Sequence, residues 1–529
     1  MKPVKLNIIF FFTVLNILSG MIIIDSEQIK NTPSRDIYDL LSRLPQIHGK
    51  SYGLTGQPLG FKMAGKISEE TDIYIDDIYY GRSIKDLSGI CVDSIEKILV
   101  ESNTFAPSGV SLKIYTRSYD ARIPVSEVLY KDAFHNYRNL SFSLAQNINQ
   151  NSSFSFSGSI LDYKDQRDRN DNYSFPYERH TYRLKVGLPR IILSIKPEID
   201  ITFFRENRHL LDSDSSLSES RNVTVSATLI KRFSHLTENK LVFIANSLSG
   251  FEDTDNINIY NEIRSYMRYG ILNSRTGFFN SKNNDRFFTV TEFSDKDRSG
   301  INILSHTGYE NGGFEAGLFS GIERNFYKQT GLSASVKYYR HNISDASHSN
   351  FTQGRLGIFS SYSLYGSENK SSMSYTTVRH EGGYQPVRDF ISMGHSSYFY
   401  GNRLKFSWEY ITSTSGKIND DIFRKNITGI LYSGLFFNDK LRIDLSADHR
   451  YYISYLDNIP QTSSNLSVNA RARIVNLEFF FGSDNLLKNT YTFNDKKYHI
   501  NKHYIHQTIE GFDMPRHDEI WGIRWIFFR

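Results

Sequence analysis

Ile520-Trp521-Gly522-Ile523-Arg524-Trp525-Ile526-Phe527-Phe528-Arg529 closes the chain, and its alternation decides the fold. Successive side chains of extended backbone point to opposite faces. Trp521, Ile523, Trp525 and Phe527 therefore share one face, and Gly522, Arg524, Ile526 and Phe528 the other. Two of the three tryptophans in 529 residues stand on the first face. Such a face needs a protein core or lipid beside it. The rest of the sequence decides which.

The composition is hydrophilic, with 39% apolar residues, yet 14% are aromatic, including 34 Tyr and 38 Phe. Disordered chains are poor in aromatics. A β-barrel with aromatic girdles and a polar interior combines both properties. Residues 1–20 read as a secretory signal: Lys2 and Lys5 precede an apolar run from Leu6 to Leu18. The other reading is an N-terminal anchor, but the run is shorter than the ~20 residues that span a bilayer. No later stretch is long and apolar enough for a membrane helix, so any spanning falls to strands. Cys91 is the only cysteine, which excludes a disulfide framework and a cysteine metal site. A net charge of +5 is small for this length and does not point to nucleic acid.

From about Ala121, segments of roughly ten residues alternate apolar with polar between Asn, Asp, Ser and Gly clusters. Leu140, Phe142 and Leu144 make one face; Phe154, Phe156, Gly158 and Ile160 make another. Tyr182, Leu184, Val186 and Leu188 follow, with Arg183 and Lys185 opposite. Leu466, Val468, Ala470, Ala472 and Ile474 repeat the pattern, with Arg471 and Arg473 opposite. About twenty-one segments can be counted, whereas open sheets rarely exceed about ten strands. Charge facing lipid at mid-bilayer costs ~2–4 kcal/mol, so Arg183, Lys185, Arg471, Arg473 and Arg524 are placed toward the lumen.

Residues 21–117 read differently. Thr32 as N-cap, Pro33, and Ile37, Leu40, Leu41 and Leu44 at helical spacing predict a helix that Pro45 stops. A glycine loop follows, with Gly49, Gly53, Gly56 and Gly60. Ile73-Tyr74-Ile75 and Ile95 to Glu101 read as strands, and Val110, Leu112 and Ile114 alternate. This order resembles the plug domain of TonB-dependent outer-membrane receptors. The resemblance rests on the helix, on Ile73-Tyr74-Ile75-Asp76-Asp77, on Ile95-Glu96-Lys97-Ile98-Leu99-Val100-Glu101, and on Gly109-Val110-Ser111-Leu112-Lys113-Ile114-Tyr115-Thr116-Arg117. The far end agrees: Leu477 to Tyr491 is similar to the family's penultimate strand, and the closing stretch to its terminal insertion strand. Departures are Asp77 where a turn glycine is usual, Ser102-Asn103-Thr104 in place of Arg-Gly-Pro, Ile22-Ile23-Ile24-Asp25 as a poor coupling box, and the terminal Arg529.

The resemblance implies an all-β transmembrane barrel of about 22 antiparallel strands, with 18 or 20 still open, and a small N-terminal α/β plug inside. The expected division is 1–20 signal peptide, 21–117 plug and 118–529 barrel. It implies a bacterial outer-membrane receptor, not an enzyme, that takes up a scarce nutrient such as a siderophore or cobalamin. The alternative is a barrel without energy coupling, a passive channel or surface-binding component. Implied ligand-binding residues are Gly53, Gly56, Tyr79, Tyr80 and Arg82, and implied plug–barrel contacts are Glu96, Glu101, Arg471 and Arg473. Trp521, Ile523, Trp525, Phe527 and Phe528 would form the insertion strand. Implied partners are membrane lipid, the barrel-assembly machinery, a small-molecule ligand and the TonB energy complex, with no cofactor. His499, His503 and His506 are candidate metal ligands by spacing, or polar loop histidines. No nucleophile elbow, phosphate loop or Cys-x-x-Cys is present.

Overall fold

From Val125 to Phe527 each long strand pairs with its neighbour in sequence, and the last, Asp518–Phe527, pairs with the first, Val125–Ala133. The sheet thereby closes into a barrel of twenty-two antiparallel strands. Closure leaves no strand edge unpaired, the condition for a sheet in lipid. The computed structural model describes residues 21–527, except 33, 45–46, 52–57, 64–71, 82–86, 88–89, 102–110, 118–123 and most residues connecting the later strands. Across 301–368 it describes the backbone alone.

At the seam Ile523 faces Tyr130 and Phe527 faces Ser126, while Leu477–Asp484 flanks the other side. Trp521 and Trp525 are about half exposed on the outer wall, whereas Arg524 is 3% exposed inside. The outer wall also carries Leu140, Leu144, Val223, Val225, Phe243, Ile259 and Leu445. The inner wall is polar, with Ser141, Ser159, Thr224, Ser226 and Asn469 buried. The stretch from Phe278 to Phe293 lies in the paired strands Gly270–Ser281 and Asn284–Ser294. Connections are short on the rim where the barrel begins and ends. On the opposite rim they are longer, up to residues 485–517.

Within the barrel lies a five-stranded sheet in the order Met21–Asp25, Ile95–Glu101, Ser111–Thr116, Asp72–Ile75, Ile78–Gly81. Alternate residues of these strands, Ile24, Ile73, Ile75, Ile98, Val100, Leu112 and Ile114, build its core. Ile37, Leu40 and Leu41 of the helix Ile37–Ser42 pack on it. That helix is N-capped by Asp36, whose carboxylate accepts from the Asp39 amide at 2.7 Å, rather than by Thr32. Thr32 instead ends an earlier helix, Ser26–Lys30, where its hydroxyl donates to the Gln28 carbonyl. Asp25 and Gln28 form a reciprocal capping box that starts this helix. The expected glycine loop is in part a hairpin, Ile47–Ser51 with Pro58–Met63, in which Gly49 and Gly60 are strand residues. The expected coupling segment Ile22–Asp25 is an edge strand of the inner sheet, paired with Val100 to Lys97.

Candidate functional site: the plug–barrel interface

The inner domain is held to the wall by ion pairs whose inward placement follows from strand alternation. Arg183 reaches Asp76 at 2.8 Å and also pairs with the wall's own Asp200. Lys185 lies 3.3 Å from the same Asp76 carboxylate. Arg471 binds Glu27 at 2.7 Å and Asp444 at 2.6 Å, and Arg442 joins Glu27 at 3.2 Å. Arg43, at the end of the helix Ile37–Ser42, meets Asp484, which Arg450 also holds. Lys425 donates to the Leu44 and Ile47 carbonyls. At the barrel seam Arg524 pairs with Glu478 and Glu127, and Lys131 binds Asp93 at 2.7 Å. In these pairs Asp76, Glu27 and Asp93 of the inner domain meet an arginine or lysine on the wall, and Arg43 meets an acid. Partly buried pairs of this kind stabilise only while both partners remain.

Asp76 and Asp77 form the turn between the strands Asp72–Ile75 and Ile78–Gly81, at φ 51° and 63°. The left-handed backbone that glycine usually occupies is here taken by two aspartates, among the residues that tolerate it best. The turn is fixed by its own sheet: Asp76 accepts from the Thr116 amide and hydroxyl, and Asp77 from the Tyr115 hydroxyl. Burial alone would raise the Asp76 carboxyl, but Arg183 and then Lys185 outweigh it and hold it below the usual range. Beyond the turn, the Tyr79 amide donates to the Tyr260 hydroxyl, and Ile78 and Tyr79 pack on Val242 and Ile244 of the wall. Burial and then the nearby Asp200 push the Tyr80 hydroxyl up.

A cavity of about 120 Å³ separates the inner domain from the first strands of the wall. The wall side presents small hydroxyls, including Ser141, Ser157, Ser159 and Thr181; the inner domain presents Tyr80, Cys91 and Thr116. Cys91 Sγ lies 3.4 Å from Ser141 Oγ across this gap. Leu129, Ala145, Phe156 and Phe204 line it too, so the space is mixed in character.

The structure places the sequence-derived residues unevenly. Tyr79 and Tyr80 lie against the wall; Gly53, Gly56 and Arg82 fall outside the described residues. Arg471 reaches the inner domain through Glu27. Arg473 lies half-buried between Arg442 and Glu478 in register. Glu96 is exposed at an irregularity of its strand, and Glu101 ends that strand opposite Met21. His499 ends the strand Lys496–His499; His503, His506, Phe528 and Arg529 are outside the described residues. Glu27, Arg43 and Asp93 were missed as wall contacts. Asp25 and Gln28 at capping spacing were the signal that put Glu27 on a short helix.

No family model and no curated protein matches the sequence. Solved structures do match the fold. The siderophore receptor PirA from Acinetobacter baumannii aligns over 96% of this chain and 98% of its own, at TM-score 0.73 and 10% identity. The ferric enterobactin receptor PfeA from Pseudomonas aeruginosa aligns over 96% and 99%, at TM-score 0.73 and 11% identity. The FrpB iron transporter from Neisseria meningitidis aligns over 96% and 99%, at TM-score 0.67 and 12% identity. These neighbours are receptors and a transporter, not enzymes. The chain has the plugged-barrel fold of the TonB-dependent outer-membrane receptors, far diverged in sequence from the members compared.

Proposed function

We propose that this protein is an outer-membrane receptor that admits a scarce nutrient by shifting its plug against the hydroxyl-lined side of the barrel. The observation that carries this reading is the nature of the plug's hold. It is a set of discrete ion pairs around a gap, and most wall arginines in them keep a second, wall-borne partner. The plug can therefore move while those wall arginines keep a partner, and only lysines such as Lys131 and Lys425 must be met by water. The fold neighbours include a siderophore receptor and an iron transporter, which supports an iron chelate as the cargo class. Residues 1–20 would serve as signal, 21–117 as plug and 118–529 as barrel.

The second reading is a barrel without energy coupling. One observation favours it: Met21–Asp25 is paired along its length with Ile95–Glu101, so the nearest candidate coupling segment is built into the sheet. Deleting it would remove Ile24 and unpick the plug core, so deletion is a poor test.

A single substitution gives a better one. Ser141→Cys places a second thiol opposite Cys91, whose sulfur is already 3.4 Å from the Ser141 oxygen, and a disulfide needs ~2.05 Å between sulfurs. The oxidised variant should stop uptake of a ferric siderophore, and reduction should restore it. Uptake that continues through the oxidised variant would refute a moving plug. Uptake by wild type that is indifferent to collapse of the proton gradient would favour the uncoupled reading.

A further inference from the structure

Where the inner domain meets the barrel seam, the ion pairs join six cations to five carboxylates. Arg117 pairs with Glu127 at 2.8 Å, Lys131 with Asp93 at 2.7 Å, and Arg524 with Glu478 at 2.8 Å. Arg471 holds Glu27 and Asp444, and Arg442 reaches the same two acids. The sixth cation is Lys30, the last residue of the helix Ser26–Lys30. Its one acid within 4 Å among the described residues is Glu27, at 3.9 Å. That distance is beyond hydrogen-bond reach, and two arginines already hold the carboxylate. The Lys30 side chain is only 18% exposed. Burial, then repulsion from Arg524 and Arg117, lowers its pKa to about 8, which marks an ammonium short of acceptors.

Lys30 lines a cavity of about 30 Å³ between the inner domain and the wall. On the wall side stands Asn469, 6% exposed, whose amide makes no hydrogen bond among the described residues. Buried donors are met by an acceptor in nearly all proteins. Asp93 and Glu478 also line the cavity, but Lys131 and Arg524 hold their carboxylates. With Lys30, Lys131 and Arg524 set against those two acids, the lining keeps one positive charge over. Water would meet the amide but leave the charge. The cavity has room for about two water-sized spheres, at ~10–15 Å³ each. That admits a monatomic anion and excludes a chelate or a phosphate ester. We infer that a chloride-sized inorganic anion binds here, between the Lys30 ammonium and the Asn469 amide. It neutralises the surplus charge and ties the plug's first helix to the wall, so that halide tightens the barrel's hold on the plug.

Two measurements test it. In the first, the full chain in detergent micelles, at neutral pH and constant ionic strength, is moved stepwise from sodium gluconate into sodium chloride. Gluconate is too large for the cavity. Plug release is read as protease cleavage against urea. Its midpoint should climb with the logarithm of chloride concentration, as for any ligand that binds only the docked state, and bromide should act likewise. Lys30→Gln and Asn469→Leu should each flatten that dependence. The second variant leaves the plug sequence untouched, so it tests the site even where the first misfolds. In the second measurement, crystals grown in bromide should show an anomalous peak touching Lys30 and Asn469. Equal wild-type midpoints in gluconate and chloride would overturn the inference and leave the cavity to water. A chloride effect that survives Asn469→Leu, or bromide crystals without a peak at this place, would overturn it equally.

Discussion

Asp76 and Glu27 show how much of the plug's hold sits in single carboxylates. Asp76→Asn keeps an acceptor for the Thr116 amide, turns the atom facing the Thr116 hydroxyl into a donor, and gives up the charge that Arg183 and Lys185 hold, while Arg183 retains Asp200. We expect a loss of roughly 1–3 kcal/mol in plug retention, the range for a charged hydrogen bond whose wall partner stays satisfied. Protease accessibility of the plug against urea would read it, with the barrel midpoint as control. Acid should act in the same direction. Asp76, Glu27 and Asp93 lie below their usual values of 3.8, 4.5 and 3.8, because wall cations outweigh the burial that would raise them. Their contribution is complete above those usual values and is lost as pH falls through the lower folded ones. Plug release should therefore begin below about pH 4, with Asp76→Asn showing a smaller acid step. Lys30 runs the other way. Burial, then Arg524 and Arg117, bring it down to about 8, so the unfolded plug binds the extra proton and stability rises between about pH 8 and 10.5. The inward side of Arg183, Lys185, Arg471 and Arg524 was legible from alternation. Their plug partners were not, because pairs separated by hundreds of residues leave no trace in local pattern.

At the scale of elements, the closing strand shows both what alternation reveals and where it stops. The outward face of Trp521, Ile523 and Trp525 followed from reading the sequence as a barrel. The reason for Gly522 did not. A Cβ at Gly522 would stand 2.2 Å from the Tyr130 backbone oxygen and 2.4 Å from the Phe480 ring. The ring can turn away, but the carbonyl belongs to the neighbouring strand at the seam and cannot. Gly522→Val should therefore prevent closure, and the variant should lose the heat-dependent gel shift of a closed barrel. An unaltered shift would mean that the strands separate without opening the sheet. The short helix Ser26–Lys30 escaped the sequence reading for a related reason. It is too short for periodicity, and only its capping pair marks it.

At the scale of the molecule, the open question is whether the barrel depends on its plug. Four wall cations that hold the plug also have acids in the wall: Arg183 with Asp200, Arg442 and Arg471 with Asp444, and Arg524, 3.8 Å from the plug's Asp93, with Glu478. The twenty-two strands pair with one another around the full circle, and no barrel strand uses a plug strand as its hydrogen-bond neighbour. Removing residues 21–117 therefore breaks no ladder, and water can reach the inner wall in place of the plug. The lysines differ: Lys425 donates to plug carbonyls at Leu44 and Ile47, Lys131 pairs with the plug's Asp93, and Lys185 with its Asp76. Once the lumen is wet these ammonium groups are solvated, so that loss is small. The plugless barrel should fold, keep the heat-dependent gel shift, and conduct ions in planar bilayers as a large, steady pore. The full chain should conduct only in brief openings, and more often at pH 3 than at pH 7, where Asp76, Glu27 and Asp93 hold the plug. A plugless chain that fails to close would show that the wall is assembled around the plug, and would make the ion pairs part of folding rather than of passage.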